Sequence, residues 1–124
     1  MAYIDLLIKT KNAEHAGKKS VKVRYSNMDF EVAKTLARYG FFKKVDVKGR
    51  NPKRSIELVF NNERLIQGLR FLSKPSLKRY SGYENLRPVK GGYGISVLST
   101  SSGIKSNIEA RKEKVGGQVL FEIW

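Results

Sequence analysis

The chain contains no cysteine and a single histidine, His15. Disulfides and thiolate metal sites are thereby excluded, and a zinc centre of the usual nitrogen and sulfur donors cannot be assembled. Missing cysteines do not identify a compartment, since a reducing environment merely permits their absence. The chain also lacks any apolar run near the ~20 residues that span a bilayer. Residues 1–14 do not follow the basic, apolar and small-residue order of a signal peptide. No Arg- and Ser-rich transit segment is evident, so a soluble protein, made where it works or present in mature form, is expected. Negative charge is scarce as well: 11 acidic residues stand against 25 Lys and Arg, a formal net charge of +14. Such an excess attracts polyanions, so nucleic acid or an acidic membrane surface is the default partner.

What is present suffices for a folded domain. The 124 residues are 40% hydrophobic, enough for one domain or two small modules. The charge is not confined to a tail, because residues 1–62 hold 14 basic and 6 acidic residues and residues 63–124 hold 11 and 5. Ile4, Leu7 and Ile8 at helical spacing predict an amphipathic helix over 3–16, ending before Gly17. Val21, Val23 and Tyr25 alternate with Lys22 and Arg24, the period of a strand with one buried and one basic face. Ser26 or Asn27 can cap a second helix whose buried face would be Phe30, Ala33 and Ala37, flanked by Val32 and Leu36, with Gly40 as its stop. Strands are predicted over 42–48 and 55–60, joined by a hairpin turn at Gly49-Arg50-Asn51-Pro52.

From Leu65 the texture becomes irregular, and a module boundary is expected near 61–65. Ile66, Leu69, Phe71 and Leu72 suggest a short strand broken by Pro75. Glycines punctuate the stretch up to Gly94, Ile95–Ser99 reads as an apolar strand, and Ser106 with Glu109 forms a capping box for a short helix. A last strand is expected over 118–124.

Catalytic constellations are poor. Ser102-Gly103-Ile104-Lys105 matches S-x-x-K, but neither S-D-N nor K-T-G accompanies it. Gly91-Gly92-Tyr93-Gly94 superficially resembles a phosphate loop, yet no Gly-Lys-Ser/Thr follows and a strand, not a helix, comes next. An entry turn needing positive φ is the simpler reading. Carboxylates are few and scattered, so no enzyme, cofactor or metal is expected.

Three groups fit RNA better. Ser99-Thr100-Ser101-Ser102 gathers hydroxyls at a turn, where they can reach phosphates, 2′-hydroxyls and base edges. Taken alone, such a run is more often just a solvated turn. Lys74, Lys78, Arg79, Arg87 and Lys90 are interleaved with Tyr80, Tyr83 and Tyr93, mixing phosphate neutralisers with rings that can stack. A basic surface over core tyrosines would look the same. Gly116-Gly117-Gln118 offers close backbone approach beside an amide that both donates and accepts, although a plain turn has the same composition. With the distributed charge, these groups favour folded RNA over the major groove of DNA. A free-standing basic regulator of DNA or messenger RNA is the alternative.

The segment Gly94-Ile-Ser-Val-Leu-Ser-Thr-Ser-Ser-Gly103, followed by Glu109-Ala-Arg111 and by Val115-Gly-Gly-Gln-Val-Leu-Phe-Glu-Ile-Trp124, resembles the C-terminal signature of bacterial-type small-subunit ribosomal protein eight. Ile4-Asp5-Leu6-Leu7 with Lys11-Asn12-Ala13, Val32-Ala33 with Leu36, Gly40-Phe41-Phe42 and Ser73-Lys74-Pro75 extend the likeness over nearly the whole chain. The resemblance implies an α+β protein of two modules. Residues 1–62 would set helices on a short three-stranded sheet, and 63–124 would be a mainly β RNA-binding module with one short helix.

It further implies a non-catalytic constituent of the small ribosomal subunit, bacterial or organellar. Such a protein is a primary binder of the central domain of the ribosomal RNA, with ribosomal proteins five and twelve as neighbours and repression of its own messenger RNA as a second role. Ser99, Thr100 and Ser101 would contact an irregular helical region, with Gly116, Gly117 and Gln118 in the loop beside it. Lys53, Arg54, Lys74 and Lys78 would meet phosphates. The sequence departs from the family at Gln118, where Glu is common, at Ser76, where glycine is usual, and at Pro88, displaced by one position. Gln118 matters most, because a carboxylate only accepts hydrogen bonds whereas an amide also donates.

Overall fold

A computed structural model describes residues 2–50, 53–61, 63–64, 66–73 and 77–124. Among these the chain forms three helices and two antiparallel sheets, an α+β architecture. It divides into two compact units, residues 1–66 and 67–124.

The first unit opens with α1 (Ala2–His15), followed by β1 (Ser20–Arg24), α2 (Asn27–Arg38), β2 (Phe42–Lys48) and β3 (Ser55–Phe60). Tyr3, Leu6, Leu7, Thr10 and Ala13 make the buried stripe of α1. The spacing of Ile4 and Ile8 therefore misled: Ile4 is half-buried and Ile8 is exposed. The true stripe is hidden in the sequence by Thr10, whose hydroxyl becomes tolerable inside by donating to the Leu6 carbonyl oxygen at 2.7 Å. Ser26 caps α2 by accepting from the Asp29 amide at 3.1 Å. The buried face of α2 is Asp29, Val32, Ala33, Thr35 and Leu36, not Phe30 and Ala37, which are half-buried. Phe30 instead lies against Tyr25, with ring centroids 5.9 Å apart. At the helix end Gly40 takes φ 85°, a left-handed conformation that glycine adopts without strain.

The sheet order is β1-β3-β2, so β3 is central. Its alternation is clean: Ile56, Leu58 and Phe60 are buried while Ser55, Glu57 and Val59 are half-buried. Opposite Glu57 stand Lys22 on β1 and Asp46 on β2.

The second unit is built from β4 (Leu69–Phe71), β5 (Tyr80–Ser81), β6 (Ile95–Thr100), β7 (Gly103–Ser106), α3 (Asn107–Glu113) and β8 (Gly117–Ile123), with single 3-10 turns at Tyr83–Asn85 and Lys90–Gly92. Strands run in the order β4-β8-β6-β7, and β5 also pairs with β8. Ile95, Val97 and Leu98 on β6 and Val119, Leu120, Phe121 and Ile123 on β8 are buried, forming the spine of the core. Leu86, Leu98, Ala110 and Val119 pack together under α3, with Leu72, Tyr83 and Val115 at their margin. The glycine turn before β6 has the positive φ expected of it, 66° at Gly91 and 95° at Gly92.

Candidate nucleic-acid interface

The hydroxyl turn joins β6 to β7, with Thr100 paired to Gly103 and Ser101-Ser102 at the tip. The Thr100 hydroxyl accepts from the Ser102 amide at 3.1 Å and donates to the Gly103 carbonyl oxygen at 2.8 Å. It therefore shapes the turn, and Gly103 closes it at φ 108°. Ser101 and Ser102 are exposed and Ser99 is half-buried. Among the described residues no hydrogen bond is formed by the Ser101 hydroxyl, which is left to whatever approaches the turn.

β8 lies between β6 and β5 at this end of the sheet. Ser99 and Tyr80 are both register partners of Gln118, and Thr100 and Ser81 are both partners of Gly117. Directly opposed residues share a sheet face, so Tyr80, Gln118 and Ser99 form one row across three strands. The glycine pair permits that approach. A Cβ on Gly117 would fall on the Ser99 carbonyl oxygen, and one on Gly116 would lie 2.5 Å from the Ser81 carbonyl oxygen. Both glycines thus serve close strand packing, which aligns the row.

Gln118 is half-buried, and its Nε2 is shielded without an acceptor. An unmet donor of this kind costs roughly 1–3 kcal/mol, recoverable if the side chain turns outward to an acceptor on a bound group. Tyr80 is 71% exposed, so its ring stands open beside the amide. Composition marked Tyr80 only as one ring among three; its pairing with Gln118 singles it out, and no local pattern could have done so.

Ser73 anchors the approach to β5. Its buried hydroxyl donates to the Val119 carbonyl oxygen at 2.5 Å and accepts from the Arg79 amide at 3.0 Å, while the Val119 amide donates to the Arg79 carbonyl oxygen. Lys78 and Arg79 are exposed just ahead of Tyr80. Lys74 lies outside the described residues. Lys53 and Arg54 belong to the first unit, where Lys53 is exposed and the Arg54 guanidinium stacks 4.1 Å from the Tyr25 ring centroid. The second unit therefore brings together Ser99, Thr100, Ser101, Gly116, Gly117 and Gln118, with Lys78 on the strand approach. Lys105 of the S-x-x-K pattern is ion-paired with Glu113 at 3.3 Å. His15 is exposed at the end of α1.

Known proteins supply the class first: the relatives are proteins of the small ribosomal subunit. The chain is 40% identical to the small ribosomal subunit protein uS8 of Thermoanaerobacter pseudethanolicus, over 97% of this chain and 94% of that one. It is 38% identical to the protein of the same name from Acholeplasma laidlawii and 37% to that of Lactobacillus johnsonii, with the same coverage of both chains. The family model of Ribosomal protein S8 matches residues 3–124. The chain belongs to the ribosomal protein S8 family, whose members are structural components of the ribosome and not enzymes.

Proposed function

We propose that this chain works as a structural constituent of the small ribosomal subunit by gripping a distorted helix of its RNA with the end of the second sheet. The observation that carries the reading is the cross-strand row Tyr80, Gln118 and Ser99 beside the exposed hydroxyl of Ser101. An irregular RNA helix offers what this row can use: unstacked bases for a ring, base-edge and ribose acceptors for an amide, and phosphates and 2′-hydroxyls for serines. Lys78, with Lys53, Arg54 and Lys74, supplies phosphate neutralisation, which positions the RNA without reading it. The RNA is that of the central domain, where early binding helps to assemble the platform of the subunit. Ribosomal proteins five and twelve are the neighbours, and a messenger RNA imitating the same helix would allow the chain to repress its own synthesis.

Binding of the full chain to a central-domain RNA fragment tests the reading. Ser101→Ala leaves the turn bonds of Thr100 intact and removes an exposed hydroxyl, so affinity should fall about fivefold, the equivalent of one ordinary hydrogen bond of ~1 kcal/mol. Gln118→Ala should fall at least as far. If both variants fold and bind like the parent, the row is not the RNA contact. Cosedimentation with small subunits after nuclease treatment separates this role from that of a free regulator of DNA or messenger RNA.

A further inference from the structure

A second surface of the same unit has features that RNA docking on the hydroxyl turn does not use. Between α3 and the segment 86–94 lies a cleft of about 450 Å³. Its floor is aliphatic, with Leu86, Pro88 and Ile108, and its rim carries Arg87, Arg111 and Lys112; no carboxylate lines it. Ile108 is 54% exposed although it sits on a helix fixed at its start by a capping box. The walls are held in place: Asn107 Nδ2 donates to the Arg87 carbonyl oxygen at 3.0 Å, and Arg111 Nη1 reaches the Leu86 carbonyl oxygen at 3.5 Å. The two carboxylates of α3 are engaged elsewhere, Glu109 with the Ser106 amide and Glu113 with Lys105. The positive rim is therefore not neutralised from within its own helix.

We propose that this cleft docks a segment of a neighbouring protein, an acidic peptide whose apolar side chain enters between Pro88 and Ile108 while its carboxylates meet Arg87, Arg111 and Lys112. The inference rests on the reading of the chain as an assembled small-subunit protein. Two arguments favour a peptide over RNA. The cleft opens beside Gly94, at the opposite end of β6 from Ser99, roughly 17 Å away at about 3.3 Å per residue, so an RNA helix end seated on the hydroxyl turn does not have to cover it. Moreover, a phosphate backbone would satisfy the cations yet leave the aliphatic floor against polar sugar edges, and no aromatic ring lines the cleft to stack a base. An apolar anchor ringed by carboxylates matches both the floor and the rim, the usual division of an interface into an apolar centre and a polar margin.

The test is made in assembled small subunits. The full chain carries a photoreactive benzoyl-phenylalanine at Ile108, or at exposed Lys112 should the first variant fail to fold, and is first shown to sediment with the subunit. Illumination followed by mass spectrometry should identify a crosslinked protein segment in which an apolar residue is flanked by Asp or Glu. With the photoreactive group at Ile108, adding Lys112→Glu, which leaves the wall bonds of Asn107 and Arg111 in place, should cut the yield severalfold while incorporation into subunits persists. Crosslinks to RNA, to a basic segment, or to nothing in subunits that contain the chain would each overturn the proposal. Failure to sediment with subunits at all would strike the assembly reading, and this inference with it.

Discussion

At the scale of single residues, the first unit contains carboxyls whose burial works against their charge. The Glu14 carboxyl is pushed above its ordinary value of 4.5, chiefly by burial, against the opposing pull of the Ile66 amide and of His15. One oxygen accepts from the Ile66 amide at 2.6 Å, while the other is shielded without a partner. Asp29 is raised above 3.8 in the same way by burial, which outweighs its hydrogen bond with Ser26. A carboxyl with a raised folded value binds its proton more tightly folded than unfolded, so stability is greatest while the group is protonated. It declines as pH rises from the ordinary value through the raised one. Glu14→Gln retains an acceptor for the Ile66 amide and abolishes the titration. Denaturant midpoints should then fall less between pH 4.5 and neutrality in Glu14→Gln than in the parent. Parallel curves for the two proteins would show that Glu14 bears no such penalty.

At the scale of elements, α3 illustrates how a seven-residue helix persists. Isolated helices of this length are unstable in water, so capping and packing must hold it. The Ser106 hydroxyl accepts from the Glu109 amide at 3.1 Å, the Glu109 carboxylate accepts from the Ser106 amide at 3.3 Å, and Ala110 is fully buried beneath. Ser106→Ala should destabilise the second unit by about 1 kcal/mol, with the denaturant slope unchanged. Trp124, the sole tryptophan, belongs to that unit and reports it by fluorescence; an unmoved midpoint would remove the cap from the account. This cap was legible in the sequence, as were β2, β3 and the stop at Gly40, because each depends on residues close in the chain. The strand β5 was not, since two residues carry no period and Tyr80–Ser81 is extended only because β8 offers it an edge. Nor was β7, where Gly103-Ile-Lys-Ser106 shows no usable alternation and pairing follows from the turn. The candidate site divides in the same manner. Its hydroxyl run and its Gly-Gly-Gln stretch stand out as residues, but the row joining Ser99, Gln118 and Tyr80 exists only through strand register.

For the whole molecule, charge and shape reading make separable contributions. The net charge of +14 attracts polyanions of any sequence, and among the described residues Lys22–Glu57, Lys34–Glu31, Lys44–Asp46 and Lys105–Glu113 are partly exposed ion pairs. Partly exposed pairs of this kind contribute little to stability. Each phosphate contact releases counterions, so the logarithm of affinity should fall linearly with the logarithm of salt, by roughly 0.9 per contact on a duplex. Lys78 and Ser101 are both exposed, and under the proposed function Lys78 would belong to this electrostatic part and Ser101 to the part that reads shape. Lys78→Ala should therefore make the salt dependence shallower by about one contact, while Ser101→Ala lowers affinity by the same factor at every salt concentration. Titrations with the central-domain fragment across about 50 to 200 mM salt resolve the two behaviours. If both substitutions flattened the line equally, the turn would be acting through charge and the separation between attraction and recognition would fail.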